Sequence, residues 1–97
     1  MQNIQIKEKT YVRCKIREGI FSSEYYIGVL SLNGEYAAGF ADKESVKIEK
    51  EPQKRESLEE LAQVHLIEEY KDKYLIQLPT EMQDRMFVSK DMLELFI

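Results

Sequence analysis

Apolar and polar residues alternate along the chain from Thr10 to Arg17. The apolar positions are Val12, Cys14 and Ile16, and the intervening basic positions are Arg13, Lys15 and Arg17. Side chains at successive positions of a strand point to opposite faces, so this spacing predicts a half-buried strand. One face of that strand is basic, which makes it a first candidate for binding.

Two further alternating segments, Tyr25 to Leu32 and Glu35 to Ala41, flank an Asn-Gly dipeptide at 33–34. Asn-Gly suits the two positive-φ positions of a type I′ turn, and it predicts a β-hairpin closed by two residues. The resulting register places Gly28 opposite Gly39, which indicates that something approaches the bare backbone closely, either the rest of the protein or a partner. The predicted core face of this hairpin holds Ile27, Val29, Tyr36, Ala38 and Phe40.

The stretch from Phe40 to Ile48 recurs as Phe87 to Leu95, with an aromatic residue, a lysine and an acid in matching places. Each copy reads as a strand, one helical or 3₁₀ turn, and a second strand. Asp42 and Ser89 are the expected N-caps of the two turns. A unit of this size usually cannot bury its own apolar face, so the repeat predicts two related halves that share one core.

The repeat also sets the expected domain organisation. We expect a single domain over residues 1–97, with halves at roughly 10–49 and 62–97. A charged connector at 50–61, which contains Pro52, separates the halves.

The segment after Ser57 carries two conflicting patterns. Its first residues have the spacing of a capping box, which favours a helix. The repeat instead makes the residues from Val64 onward the counterpart of the first strand. We give the repeat more weight and expect a helical turn at 58–61 followed by a strand at 63–70, a prediction that a regular helix through Ile67 would contradict.

The remaining alternating segments complete an all-β pattern. Tyr74 to Leu78 and Arg85 to Val88 read as strands, and Pro79 closes the first of them because it removes a ladder donor. The sum is six to eight short strands with hairpin connections. In architecture this resembles the SH3-like barrels, so the expected fold is an all-β, compact SH3-like small barrel.

Composition limits the chemistry that the chain can perform. Its 97 residues carry a net charge of -4, with one cysteine and one histidine. Cys14 alternates with apolar residues, which favours an inert buried thiol, and Cys14 with His65 supplies too few ligands for a zinc site. No glycine-rich phosphate loop or dinucleotide fingerprint is present. We therefore expect no catalysis, no cofactor and no bound metal.

The same composition indicates a cellular compartment. No apolar run approaches the length of about 20 residues that a bilayer requires, and the N-terminal residues lack a signal-peptide pattern. The lone cysteine cannot form an internal disulfide. We expect a cytoplasmic protein that does not enter a membrane.

Protein binding fits most of the candidate residues. The loop from Glu18 to Glu24 carries two large apolar residues and is expected to fold back onto the body. Aromatic residues beside a flat surface are typical of an interface centre. The candidate contact residues are Ile20, Phe21, Tyr25, Tyr26, Gly28 and Gly39. These features predict a non-catalytic interaction or accessory module that binds a protein partner or a second copy of the chain.

Binding of a single-stranded nucleic acid is the alternative function. Arg13, Lys15 and Arg17 would contact the phosphates, and nearby tyrosines would stack on unpaired bases. The negative net charge weakens this interpretation because it opposes phosphate attraction. A small-molecule or enzymatic role ranks third, since it needs a pocket between the halves that the sequence does not reveal.

Overall fold

The computed structural model describes residues 9–96, and within this range eight antiparallel strands curl around one core as a small all-β barrel. The strands are β1 (Lys9–Glu18), β2 (Glu24–Leu30), β3 (Tyr36–Asp42), β4 (Val46–Lys47), β5 (Leu58–Glu69), β6 (Lys73–Gln77), β7 (Arg85–Ser89) and β8 (Leu93–Phe96). The all-β fold and the first strand are therefore as predicted. The N-terminal residues that lack a signal-peptide pattern and Ile97 lie outside the described range.

The strands follow the order β3-β2-β1-β5-β6-β7, with β4 beside β5 and β8 beside β1. We call residues 9–47 the first half and residues 58–96 the second half. The last strand of each half pairs with the first strand of the other half, so neither half encloses the core by itself. Common descent of the two halves stays a prediction.

The pairing register around Val12 and Ala62 is equivalent in the two halves, although only the β5–β6 ladder has a bulge, between Leu66 and Glu68. Val12 of β1 lies opposite Ala62 of β5, and these two residues occupy matching places in the sheet. Val46 of β4 pairs with Ala62, while Leu93 of β8 pairs with Val12. The pairing of β4 with β5 thus has the same arrangement as the pairing of β8 with β1.

Alternate residues of the strands point into the core. On β1 the residues Val12, Cys14 and Ile16 are buried, whereas the arginines and the lysine between them are exposed. The large side chains that are essentially inaccessible to solvent are Val12, Ile16, Ile27, Val29, Ile76, Leu78 and Val88. Burying one side chain of this size contributes roughly 1.5–3 kcal/mol, so both halves supply the stability of the shared core.

The predicted hairpin between β2 and β3 is present, but its two-residue turn and its register are wrong. The Ser31 N–H donates to the Glu35 carbonyl at 2.7 Å, and the Gly34 N–H donates to the Ser31 carbonyl at 3.0 Å. Gly34 has a φ of 88°, whereas Asn33 is not in the positive-φ region. These contacts define a three-residue loop with a bulge at the glycine.

The longer loop shifts the register of β3 by one residue. Ile27 therefore pairs with Gly39, and Gly28 pairs with Ala38, so the two glycines do not face each other. Because cross-strand partners share a face, Tyr36, Ala38 and Phe40 lie on the outer face instead of in the core. In their place, the inward positions of β3 are Ala37, Gly39 and Ala41.

The predicted helical turn at 58–61 is also wrong. β5 is a continuous strand over Leu58–Glu69, and its first residues pair with β1, including Leu58 with Ile16 and Glu60 with Cys14. The strand predicted at 63–70 is confirmed in outline. Cross-strand pairing along β1 outweighs the local helix preference of the capping-box sequence, because propensity is weak compared with tertiary packing.

The strand, turn, strand pattern predicted from the repeat occurs twice. Lys43–Ser45 and Lys90–Met92 each form one 3₁₀ turn, and each turn leads into a short strand. Asp42 and Ser89 occupy the N-cap positions as expected, but neither side chain accepts a capping hydrogen bond.

Candidate functional site

The loop between β1 and β2 presents two apolar side chains to solvent. Ile20 is 75% exposed and Phe21 is 68% exposed, so the prediction that this loop folds back onto the body is wrong. The Glu24 carboxylate accepts hydrogen bonds from the N–H groups of Ile20 at 3.2 Å and Phe21 at 3.4 Å. We call Ile20 and Phe21 the apolar tip, a pair that stands in solvent on a hydrogen-bonded loop.

Gly19 allows this loop to close. A Cβ atom at this position would lie 2.5 Å from the Glu24 carbonyl oxygen, which is too close for any other residue type. The Glu24 N–H in turn donates to the Phe21 carbonyl at 3.3 Å. The bonds and the close approach together fix the direction of the apolar tip.

Tyr25 does not belong to the exposed contact surface. It is 2% exposed, and its hydroxyl donates to the Glu51 carboxylate at 2.7 Å. The Lys43 ammonium lies 4.8 Å from the centre of its ring. Burial and the hydrogen bond to Glu51 raise the pKa of Tyr25 to about 12. Tyr25 thus attaches the segment after β4 to the barrel.

The outer face of the first half combines basic and aromatic side chains. The Arg17 guanidinium lies 5.1 Å from the centre of the Tyr26 ring, and the Lys15 ammonium lies 5.4 Å from the centre of the Tyr36 ring. Tyr26 also contacts Phe40 edge to face, with 5.0 Å between the ring centres. We call this surface the cationic face; its residues are Arg13, Lys15, Arg17, Tyr26, Gly28, Tyr36, Ala38 and Phe40.

Three shallow depressions cross the cationic face and share lining residues. Their volumes are about 200, 310 and 370 Å³. Lys15, Gly28 and Tyr36 line the first two, while Arg17 and Tyr26 line the last two. The third depression ends at Ile20, so the cationic face is continuous with the apolar tip.

The two glycines predicted as contact residues occupy different places. Gly28 lies on the cationic face between larger side chains, where a small residue leaves the backbone accessible. Gly39 lies on the inner side, and a Cβ atom added to it would meet the Thr80 side chain at 3.1 Å. Of this pair, only Gly28 is brought to the candidate surface.

Acidic groups offset part of the positive charge of the cationic face. Arg13 forms an ion pair with Glu94, with 3.6 Å between Nε and the carboxylate, and Glu59 lies opposite Lys15 in the strand register. The exposed ion pair contributes little to stability, about 1 kcal/mol at most. Arg17 and Arg55 line the depression beside the apolar tip, where the acid is Glu18.

Sequence reasoning missed a cavity of about 560 Å³ between β3 and β7, which is larger than the three depressions of the cationic face. Its lining comprises Ser31, Leu32, Asn33, Glu35, Tyr36, Ala37, Arg85, Met86 and Phe87. We call this cavity the seam, because it lies where the two edge strands of the sheet approach each other. It joins residues of the two halves, which no local pattern reveals.

Exposed apolar side chains surround the seam. Leu32 is 49% exposed and Tyr36 is 53% exposed, and both flank the hairpin turn. Across the seam, Phe87 contacts Tyr70 edge to face, with 5.7 Å between ring centres, and the Lys73 ammonium lies 4.7 Å from the Phe87 ring centre. The presence of Leu32 beside an Asn-Gly turn was the available sequence signal, since turn residues are usually polar.

Cys14 and His65 do not form a reactive pair. Cys14 is 4% exposed, and burial, followed by the charge of Glu60, raises the pKa of its thiol to about 12. His65 is exposed and pairs with Gln77 on β6, while Cys14 pairs with Glu60. Over residues 9–96, no three His, Cys, Asp or Glu side chains are grouped so that they could hold a metal ion.

Comparison with protein-family models, with curated proteins and with solved structures gives no match to this chain. The described part of the chain contains no helix that is long and apolar enough to cross a membrane. Functional inference for this barrel therefore rests on the surfaces described above.

Proposed function

We propose that this protein is a non-catalytic interaction or accessory module that binds a protein partner. The contact surface is the apolar tip together with the adjoining end of the cationic face. The observation that carries the proposal is the pair of exposed apolar side chains, Ile20 and Phe21, on a loop that Glu24 holds by two hydrogen bonds. A pre-organised apolar contact loses little conformational entropy on binding.

The surroundings of the apolar tip fit an interface. Tyr26 and Phe40 extend the apolar surface along the sheet, and Arg17 and Arg55 lie at its edge. Aromatic residues and arginine are enriched at the centres of protein interfaces. An acidic rim on the partner would complement these two arginines.

The test compares Phe21→Ala with Met82→Ala, since both residues are large, apolar and mostly exposed but lie in different loops. Each tagged variant is used for affinity capture from a native lysate, with and without nuclease. We expect Phe21→Ala to reduce recovery of a nuclease-resistant partner by about tenfold or more, and Met82→Ala to leave it unchanged. Equal recovery of the partner with the unmodified protein and with both variants contradicts the proposal.

Self-association is checked on the same proteins by sedimentation. A concentration-dependent dimer that Phe21→Ala disrupts would identify a second copy of the chain as the partner. A monomer at all concentrations would leave a different protein as the partner.

Single-stranded nucleic acid is the second candidate ligand. The observation that favours it is the placement of Lys15 and Arg17 over Tyr36 and Tyr26, around the small residue Gly28. Alternating residues of a strand are about 6.8 Å apart, a spacing that suits successive phosphates of an extended strand, while the rings would stack on bases.

The test measures binding of fluorescent oligo(dT) and oligo(rU) at increasing salt. The variant Lys15→Glu with Arg17→Glu is compared with a control, Lys54→Glu with Lys71→Glu, whose lysines are exposed elsewhere. We expect salt-sensitive binding that only the first variant loses. Equal loss in both variants, or no binding at low salt, contradicts this function.

The same proposal includes a cytoplasmic location and a duplicated origin. The buried, unpaired Cys14 supports a reducing compartment. The repeated order of elements and the equivalent registers about Val12 and Ala62 support duplication of one ancestral unit. A small-molecule role remains third, and the seam is the pocket that would serve it.

A further inference from the structure

The sheet is not joined continuously where its edge strands meet. Within residues 9–96, backbone contacts at this place include an isolated bridge from Ala41 of β3 to Thr80, which precedes β7, and a hydrogen bond from the N–H of Leu32, which precedes β3, to the Phe87 carbonyl at 2.8 Å. No strand pairs with the outer edge of β3 or of β7 in the described sheet. The seam adjoins the second of these contacts, because Leu32 and Phe87 both line it.

Backbone groups of both edge strands point into the seam. Hydrogen-bonded and non-hydrogen-bonded pairs alternate along an antiparallel ladder, and Ser31 with Glu35 is a hydrogen-bonded pair. Tyr36 and Ala38 of β3 therefore direct their N–H and C=O groups away from β2. By the same alternation, Arg85 shares the orientation of Phe87, whose carbonyl accepts the bond from Leu32.

The side chains of the seam complement an apolar group with negative charge near it. Ala37 and the largely buried Met86 line the seam as small and flexible apolar residues. Arg85 lines it as well, and its Nε donates to the Gln77 side chain at 3.4 Å. Lys73, over the Phe87 ring, and Lys15, over the Tyr36 ring, add two cations at the edges, against the single lining acid Glu35.

We propose that the seam binds an extended peptide segment of a partner, with one large apolar side chain flanked by acidic residues. The apolar side chain fills the cavity, the backbone pairs with the free edge groups of β3 and β7, and the acids face Arg85 and Lys73. Edge strands commonly recognise peptides by such strand addition. This inference rests on the proposed function, since it names the kind of segment that a protein partner would supply.

The volume of the seam agrees with this occupant. At about 560 Å³ it falls within the range of roughly 300–1,000 Å³ that is typical of ligand pockets. The seam accepts an aromatic side chain together with neighbouring backbone. Free backbone groups along its walls favour a peptide over a nucleic acid, whose recognition depends on stacking and phosphate contacts.

The experiment is a selection of displayed random peptides on the immobilised full chain, followed by fluorescence anisotropy with the selected peptide. We expect the selected peptides to share an aromatic or large aliphatic residue next to Asp or Glu. Arg85→Glu should weaken binding by about tenfold or more, while the matched control Lys54→Glu, which makes the same change of charge outside the seam and the apolar tip, should not. Both residues are exposed, so neither change removes a buried side chain.

Two further measurements distinguish strand addition from nonspecific electrostatic attraction between the peptide and the basic side chains. Hydrogen exchange at the amides of Tyr36, Ala38 and Arg85 should slow when the peptide binds. Ala37→Val, which reduces the cavity, should weaken the same peptide, and circular dichroism reports whether this variant folds. If Ala37→Val does not fold, Arg85→Glu and the exchange data still decide the question.

Each other outcome overturns the inference. These outcomes are a selection that yields no peptide, a peptide that Arg85→Glu and Lys54→Glu affect equally, and protection at amides outside the seam. A compound without a peptide backbone that competes for the seam, in the absence of any selected peptide, would assign the cavity to a small molecule. Phe21→Ala should retain peptide binding, so loss of partner capture in that variant tests the proposed function separately.

Discussion

The two halves of the barrel share a scaffold but present different surfaces. Each half contains three antiparallel strands, one 3₁₀ turn and a short strand that crosses to the other half. Even a local contact is repeated, because the Lys43 ammonium lies 4.8 Å from the Tyr25 ring centre and the Lys90 ammonium lies 5.1 Å from the Tyr74 ring centre. The two halves therefore share the order of their elements and this contact.

The outer sides differ in charge and in shape. In the first half Lys15 pairs with Gly28, whereas the equivalent pair in the second half is His65 with Gln77. Gly28 leaves open backbone between aromatic rings, and Gln77 fills the same place with a polar side chain. The proposed contact surface, formed by the apolar tip and the cationic face, therefore belongs mainly to the first half.

The largest expected effect tests whether the two halves contribute equally to one core. Ile27 and Ile76 occupy equivalent places in β2 and β6, and both are fully buried. Replacing either with alanine should reduce the free energy of unfolding by about 2–5 kcal/mol because a cavity remains. Chemical denaturation should show one cooperative transition in both variants. Separate transitions for the two halves would contradict a single core.

The next effect depends on pH and concerns a place where the cores differ. Cys14 lies two residues beyond Val12, and its equivalent two residues beyond Ala62 is Val64. Burial raises the pKa of the Cys14 thiol from 9.0 to about 12, so between these values the unfolded chain binds fewer protons than the folded one. The stability that this difference in thiol pKa contributes is fully present below pH 9 and is lost as the pH rises towards 12.

Cys14→Val should therefore make the free energy of unfolding less sensitive to pH over this range. At neutral pH the substitution should change stability by less than about 1.5 kcal/mol, since it replaces one small apolar residue with another. Denaturation at several pH values measures both effects. An unchanged decline at alkaline pH in the variant would show that other groups cause it.

A smaller effect distinguishes two equivalent tyrosines. The Tyr25 hydroxyl donates to Glu51, whereas within residues 9–96 no hydrogen bond of the Tyr74 hydroxyl is recorded. Tyr25→Phe should reduce the free energy of unfolding by about 1 kcal/mol, and Tyr74→Phe by less than half of that. Thermal denaturation of both variants makes the comparison. Equal losses would show that the bond to Glu51 adds nothing to stability.

The smallest effect concerns the repeated contact between lysine and tyrosine. Replacing Lys43 or Lys90 with methionine keeps an unbranched side chain but removes its charge. Each change should reduce the free energy of unfolding by about 0.5–1 kcal/mol, the range for cation–π contacts near the surface. These lysines also form ion pairs with Glu51 and Glu69. Denaturation at high salt serves as the control, because salt weakens the ion pairs. A loss of stability in only one of the two variants would mean that the two contacts share a geometry but do not contribute equally to stability.

Sequence patterns predicted those features of the fold that strand periodicity controls. The alternation from Thr10 to Arg17 defined β1 and its buried side, and the repeat correctly favoured a strand over a helix at 63–70, although not at 58–61. Both inferences succeed because a strand with one buried side must alternate in sequence. The repeat adds long-range information that local propensity lacks.

Sequence patterns failed where a single residue of loop length decides the outcome. Asn33 and Gly34 suggested a two-residue turn, and the actual three-residue loop moved Tyr36 and Phe40 from the core to the surface. Tyr25, which was expected at the contact surface, is buried because it lies on the same side of β2 as Ile27 and Val29. The seam was inaccessible to sequence reasoning, since it depends on how residues of β3 and β7, about fifty positions apart, meet across the sheet edge.

The crossed pairing of β4 and β8 has a consequence for the order in which the protein acquires its structure during synthesis. When the first half has left the ribosome, β1 still lacks β8 and β4 still lacks β5. The nascent chain therefore exposes unpaired edges and apolar side chains until Leu93–Phe96 has emerged. Closure of the barrel is therefore a late event in folding, and contacts between residues so distant in sequence are expected to make it slow.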